Sequence, residues 1–227
     1  MENTFYCENG EVAKVSYGEA FDSPREWDNL GKLCIKFGGA EIDETPYCPE
    51  LLVAWVDNMD IEEAQDFFTM NTGEWAETSE IREEFANFEK KIGVALPVYK
   101  YEHSGIAFDA SGFSCPWDSG RSGVIVALKE DIKEGFGVKR ISKKMKDEVE
   151  QILKNEIDTY SRWCNGQVFD VFLYDSVEDY QNGLSSDNCG GLMFKNEEDA
   201  KAGVEVEFGV KIKCTLDDYM TDQLNAA

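Results

Sequence analysis

Thiol chemistry is the first possibility the sequence offers. The stretch FSCPWDSG, Phe113 to Gly120, begins ten residues after His103, the one histidine of the chain. A thiolate nucleophile needs a base to ionise it and a third group to orient that base, and Cys115, His103 and Asp118 supply these types if the fold brings them within hydrogen-bond reach. The same residues admit an architectural reading. Gly105, Gly112, Gly120 and Gly123 permit sharp turns, and Pro116 stiffens the chain after Cys115. Phe113 and Trp117 would then pin the segment to a core, with Asp118 capping its turn. A Cys/His pair without a family signature transfers poorly between proteins, so the expectation is architecture and no enzyme.

Other site chemistries find less support. One histidine and seven dispersed cysteines (Cys7, Cys34, Cys48, Cys115, Cys164, Cys189 and Cys214) form no C-x-x-C pair. No metal site is expected, and the thiols are read as free. Asp57-x-x-Asp60 lacks the alternation of a calcium loop. Neither G-x-G-x-x-G nor G-x-x-x-x-G-K-[ST] occurs, so no nucleotide loop and no cofactor is expected.

The elements that would hold these residues read as a mixture. Phe5–Cys7 and Val12–Ser16 flank Asn9-Gly10, a pair suited to a hairpin turn. Ser23-Pro24-Arg25-Glu26 offers an N-cap, a proline at the first helical position and a glutamate reaching back, which predicts a short helix stopped by Gly31. Leu33–Phe37 reads as a strand. After the proline-bracketed TPYCPE come the apolar run Leu51–Val56 and a helix over about 60–70. Ser79–Ile92 reads as a second acidic helix with Ile81, Phe85, Phe88 and Ile92 on one face and Gly93 as its cap. Val94–Tyr101, Gly105–Phe108 and Val124–Leu128 read as strands, which places FSCPWDSG between the last two. The longest helix spans about 142–164, with Met145, Val149, Ile152, Leu153, Ile157 and Tyr160 in register. Val168–Tyr174 and Val204–Lys213 read as further strands. The predicted class is α+β, a mostly antiparallel sheet with one long helix and two shorter acidic ones. No composition break divides the chain, so one domain over 1–227 is expected, with a possible acidic insert at about 41–92 and its weakest seam at TPYCPE.

At 227 residues with 42% apolar and 12% aromatic content, the chain can bury a core without disulfides. Its apolar runs fall far short of the ~20 residues of a membrane span, and Met1-Glu2-Asn3 opens no signal peptide. A cytoplasmic location is expected. The charge is the distinctive feature: 46 acidic against 22 basic residues give −24. Residues 1–97 carry −15, residues 98–147 carry +2 and residues 148–227 carry −11. Such a balance opposes direct binding of nucleic acid or anionic membrane and favours a basic partner, or else serves solubility.

SPREWDNLG (Ser23 to Gly31), HSG (His103 to Gly105), FSCPWDSG and GVKRISKK (Gly137 to Lys144) together resemble an uncharacterised protein family of phages and mobile elements of Gram-positive bacteria. The likeness covers about two thirds of the chain, with the motifs in the same order. It carries no established activity, so it implies no catalytic roles; it implies a phage or plasmid product acting in a host bacterial cytoplasm.

In that setting the acidic balance suggests an inhibitor of a nucleic-acid-targeting defence system, anti-CRISPR or antirestriction, that presents carboxylates where DNA presents phosphates. The candidate surface is Glu62, Glu63 and Asp66 on one helix with Glu77, Glu80, Glu83, Glu84 and Glu89 on the next. The expected partner is a basic protein of a host defence complex. A solvated face that only keeps the protein soluble explains the same residues, and a phage accessory interaction protein or the thiol enzyme at Cys115 and His103 are the alternatives. Lys139, Arg140, Lys143, Lys144 and Lys146 gather where the long helix begins and its dipole is positive. Something anionic should lie nearby: the chain's own acidic flanks, a bound phosphate or nucleic acid, or a second copy in a homodimer.

Overall fold

The computed structural model describes residues 2–18, 22–35, 43–103 and 105–226. Phe37 at the end of a predicted strand, Ser104 of the HSG motif and Glu41 at the start of the predicted insert lie outside them. The described chain forms two compact units, one from 1–22 with 166–227 and one from 23–165. No shift in composition marks either crossing point.

The chain opens with β1 (Asn3–Cys7) and β2 (Val12–Tyr17), an antiparallel hairpin turning at Gly10, whose φ of +96° suits glycine. The second unit begins at Ser23. Its hydroxyl accepts from the Arg25 N–H, yet the helix it starts is one 3₁₀ turn, Pro24–Glu26. The predicted helix toward Gly31 does not form, because the following segment is instead drawn onto Arg25 and Glu156. Then come β3 (Lys32–Ile35), α1 (Pro49–Val56), α2 (Ile61–Thr72), α3 (Thr78–Lys91), β4 (Ile92–Glu102), β5 (Ile106–Asp109), β6 (Ser119–Leu128), α4 (Lys129–Gly135) and α5 (Lys143–Cys164).

These four strands make an antiparallel sheet in the order β3-β6-β4-β5. Strand β6 explains why Val124–Leu128 is an unbroken apolar run. Val124 and Val126 enter one core with Leu52, Val53, Ile81 and Phe88, while Ile125 and Ala127 enter another with Val149, Leu153 and Ile157. Helices α1–α3 therefore cover one sheet face and α5 the other, and a strand covered on both faces has no solvent side to make polar. Burying Leu153 or Ile157 fully contributes roughly 1.5–3 kcal/mol each, enough that the α5 stripe fixes its orientation. Ser142 caps α5 through the Met145 N–H. Gly93 lies inside β4, where a Cβ would stand 2.4 Å from Ile132 Cδ1; it is a close-packing glycine and not the α3 cap the sequence suggested.

The chain then re-enters the first unit as β7 (Phe169–Tyr174), α6 (Val177–Asn182), β8 (Asp187–Leu192), α7 (Glu197–Phe208), β9 (Ile212–Thr215) and α8 (Leu216–Ala226). The sheet order is β8-β7-β2-β1-β9, antiparallel throughout. Phe5, Val15, Phe169 and Val171 pack with Ala200 and Val204 of α7, and Tyr6 stacks on Tyr219 of α8 at 3.7 Å between centroids. The predicted strand Val204–Lys213 is corrected here: its first half is the end of α7. Asn196 caps that helix, Glu197, Glu198 and Asp199 favour its N-terminus, and Ala200 and Val204 stack four apart into the core. The α+β class holds, with antiparallel sheets, a 22-residue helix at 143–164 and two acidic helices in sequence before β4.

Candidate functional site

Helices α2 and α3 owe their acidic faces to their ends as well as their periodicity. The Asp60 carboxylate accepts from the N–H groups of Glu62 (3.0 Å) and Glu63 (2.9 Å), and the Glu63 carboxylate accepts from Asp60 N–H (3.1 Å). This reciprocal cap satisfies orphan donors and places anions at the positive helix end. Gly73 in the left-handed conformation closes α2. The Glu80 carboxylate caps α3 through Glu77 N–H at 2.9 Å, and Lys90 and Lys91 occupy its last turn. Ala64, Ile81 and Phe88 are buried and Phe67, Phe68 and Phe85 pack beside them. The polar positions must then face water.

The predicted partner-binding residues fall accordingly. Glu62, Glu63, Asp66, Glu77, Glu80, Glu83 and Glu89 are exposed, and Glu84 is half-buried. None of the eight takes part in an ion pair among the described residues. Glu84 lines an open groove of about 480 Å³ together with Cys48, Glu50, Leu51, Phe68 and Glu74. Glu50 is fully buried there and accepts from the Cys48 thiol at 3.0 Å. Burial, reinforced by that carboxylate, pushes the Cys48 thiol up to about 11.

The basic group at the start of α5 is equally exposed: Lys139, Arg140, Lys143, Lys144 and Lys146 all face solvent. Its anionic neighbour among the described residues is Glu148, one turn along the same helix, 3.8 Å from Lys144.

The loop between β5 and β6 does bring the three thiol-site residues together, in an unexpected order. Asp118 stands between the other two: its Oδ2 accepts from Cys115 Sγ at 3.4 Å and lies 3.7 Å from His103 Nδ1. In a Cys–His nucleophile the imidazole bonds the sulfur and the carboxylate bonds the imidazole. Here the sulfur donates to the carboxylate. Ser119 Oγ donates to Cys115 O and Glu102 N–H to Asp118 O, at 2.9 Å for the latter, which fixes the turn. Phe113 packs at 5.5 Å from Tyr101. Trp117 does not pin anything: it is 92% exposed, because Cys115, Asp118 and Ser119 tie the turn from beneath and leave the indole outward.

Two features escaped the sequence reading. Arg25, inside SPREWDNLG, is a buried hub whose guanidinium donates to Asp43 Oδ2 (2.6 Å), Glu156 Oε2 (3.2 Å) and Gly31 O (2.7 Å). Glu156 in turn accepts from the N–H groups of Leu30 (2.9 Å) and Gly31. Burial raises the Glu156 carboxyl above its ordinary range, while the Gly31 amide and Arg25 pull it back down. The second is the Cys48/Glu50 groove. An arginine inside a predicted short helix was the one visible signal of the first; a glutamate at the start of an apolar run was that of the second.

Among the described residues no group of three or more His, Cys, Asp or Glu could hold a metal ion, and no helix is long and apolar enough to cross a membrane. No family model, curated protein or solved structure matches the chain.

Proposed function

We propose that this chain is a non-catalytic, phage- or mobile-element-encoded inhibitor that occupies the basic nucleic-acid site of a bacterial defence enzyme, a CRISPR effector or a restriction enzyme. One observation carries the reading: seven exposed carboxylates and one half-exposed one stand on two consecutive helices and the N-cap of the second, with no ion-pair partner among the described residues. A helix rises about 1.5 Å per residue, so Glu77, Glu80 and Glu83 advance by about 4.5 Å per step and Glu62 and Asp66 by about 6 Å. A DNA strand advances 3.4 Å per phosphate. The two anionic rows are of comparable density, and the helix row is rigid before it binds. A solubility role needs no such order. The resemblance of SPREWDNLG and FSCPWDSG to a phage family supports the cellular setting.

A folded anionic face would be drawn to a cationic cleft at long range, raising the association rate in a way that salt weakens. The test replaces Glu62, Glu63, Glu80, Glu83 and Glu84 together with glutamine. Glutamine can still accept the capping hydrogen bonds at positions 63 and 80, so the fold should persist by circular dichroism. Phage plating on hosts with active restriction or CRISPR immunity is expected to fall to the unprotected level. Undiminished protection by the folded variant would refute the reading.

A second reading, thiol chemistry, is supported by the Asp118 carboxylate that bridges Cys115 and His103. Its order of partners disfavours a sulfur nucleophile, and an unchanged phenotype for Cys115→Ala would dismiss it.

A further inference from the structure

The last turn of α2 and the connection from α2 to α3 each hold one large apolar side chain in water. Met70 is 77% exposed and Trp75 is 63% exposed, on either side of Gly73. The buried side chain beside Trp75 is Ala76, so the indole itself fills no core. Met70 extends the Glu62–Asp66 row, each four residues from the last and therefore on one side of the helix. Glu74 and Glu77 bracket Trp75, and both are exposed. An exposed indole and thioether within an otherwise charged surface mark a contact surface, since such side chains anchor interfaces while charges form their rim.

Charge complementarity selects the occupant. Whatever gains from Trp75 must also meet Glu74 and Glu77, so it is a protein surface that sets cations beside aromatic or apolar groups. A duplex-binding groove supplies cations for phosphates and hydrogen-bonding groups for base edges. A channel for single strands supplies cations along the backbone and aromatic platforms on which bases stack. We propose that this face docks in a single-stranded nucleic-acid channel, the carboxylates standing for phosphates and Trp75 standing for a stacked base. The inference rests on the anionic-decoy reading and narrows its partner.

The test uses two fluorescein-labelled peptides of equal charge, one of Lys-Lys-Gly repeats and one of Lys-Lys-Tyr repeats, titrated with the full chain at low salt and followed by anisotropy. The tyrosine peptide is expected to bind about tenfold tighter. The double variant Met70→Ala/Trp75→Ala should lose that preference while still binding both peptides. Trp75→Phe, which keeps an aromatic face, should retain most of it, and Trp117→Ala, an exposed indole outside the acidic row, should retain all of it. A preference that survives the double variant, or that Trp117→Ala removes, overturns the assignment to Trp75. Equal binding of the two peptides by the parent chain overturns this inference and leaves the decoy reading standing. Binding of neither peptide overturns both.

Discussion

Arg25 Nη1 lies 3.2 Å from Glu156 Oε2, joining residues 131 positions apart, and both side chains are nearly sealed from solvent, at 3% and 10% exposure. Asp43 completes the group at 2.6 Å from Arg25 Nη2 and also accepts from Leu33 N–H. The pair therefore clamps the 3₁₀ turn and the approach to β3 onto the middle of α5. Its value is positional, because the desolvation of three charges offsets much of their attraction.

Breaking the clamp on one side leaves two buried carboxylates without their cation. Arg25→Met is expected to destabilise the protein by about 3–5 kcal/mol. Arg25→Lys should recover little, since Nε and Nη2 together grip Asp43 Oδ2 while Nη1 reaches Glu156 and Nη2 also reaches the Gly31 carbonyl, a spread an ammonium cannot span. Urea unfolding measures both. A midpoint for Arg25→Met equal to that of the parent chain would show the clamp to be dispensable.

The pH dependence follows from Glu156. Burial raises its folded-state value above the ordinary 4.5, so the folded chain holds this proton more tightly than the unfolded one. The stability it contributes is full below the ordinary value and is lost as pH rises through the raised one. The unfolding free energy of the parent chain minus that of Glu156→Gln should thus decline across that window. A difference that grows with pH would mean that Arg25 outweighs burial.

Strand packing makes a sharper demand at one glycine. A Cβ on Gly123 would stand 1.9 Å from the Cys34 carbonyl oxygen, a backbone atom that cannot turn aside, whereas one on Gly120 meets nothing within 4 Å. Gly123→Ala should cost roughly 3 kcal/mol, at the upper end of overpacking penalties, and separate β3 from β6. Gly120→Ala, three residues earlier in the same strand, should be tolerated to within about 0.5 kcal/mol. Parallel thermal melts of the two variants decide it, and equal melting temperatures would contradict the packing argument.

How far the sequence foretold these features depends on the range of the forces involved. Helix α5 was legible because its stripe from Val149 to Tyr160 repeats locally, and the β1–β2 hairpin because Asn9-Gly10 carries its turn chemistry with it. The acidic faces of α2 and α3 were legible for the same reason, as composition and period together. Val204-Glu-Val-Glu-Phe misled because its alternation imitates a strand, while the cap that makes it helical sits eight residues earlier at Asn196. Trp117 misled because aromatic residues usually seek cores; its exposure comes from hydrogen bonds beneath the turn. Arg25 was out of reach, since its partners Asp43 and Glu156 are 18 and 131 residues away and nothing local distinguishes them from solvated acids.

The two-unit division has a consequence for how the molecule is made. Strands β1 and β2 pair with β9 and β7, which the ribosome delivers only after the whole of residues 23–165. At about 5–20 residues per second, the first hairpin waits many seconds with its sheet edges open, while the middle of the chain can already complete its own core. Nascent-chain maturation should therefore run from the centre outward, and the early hairpin is the segment most in need of a holding chaperone.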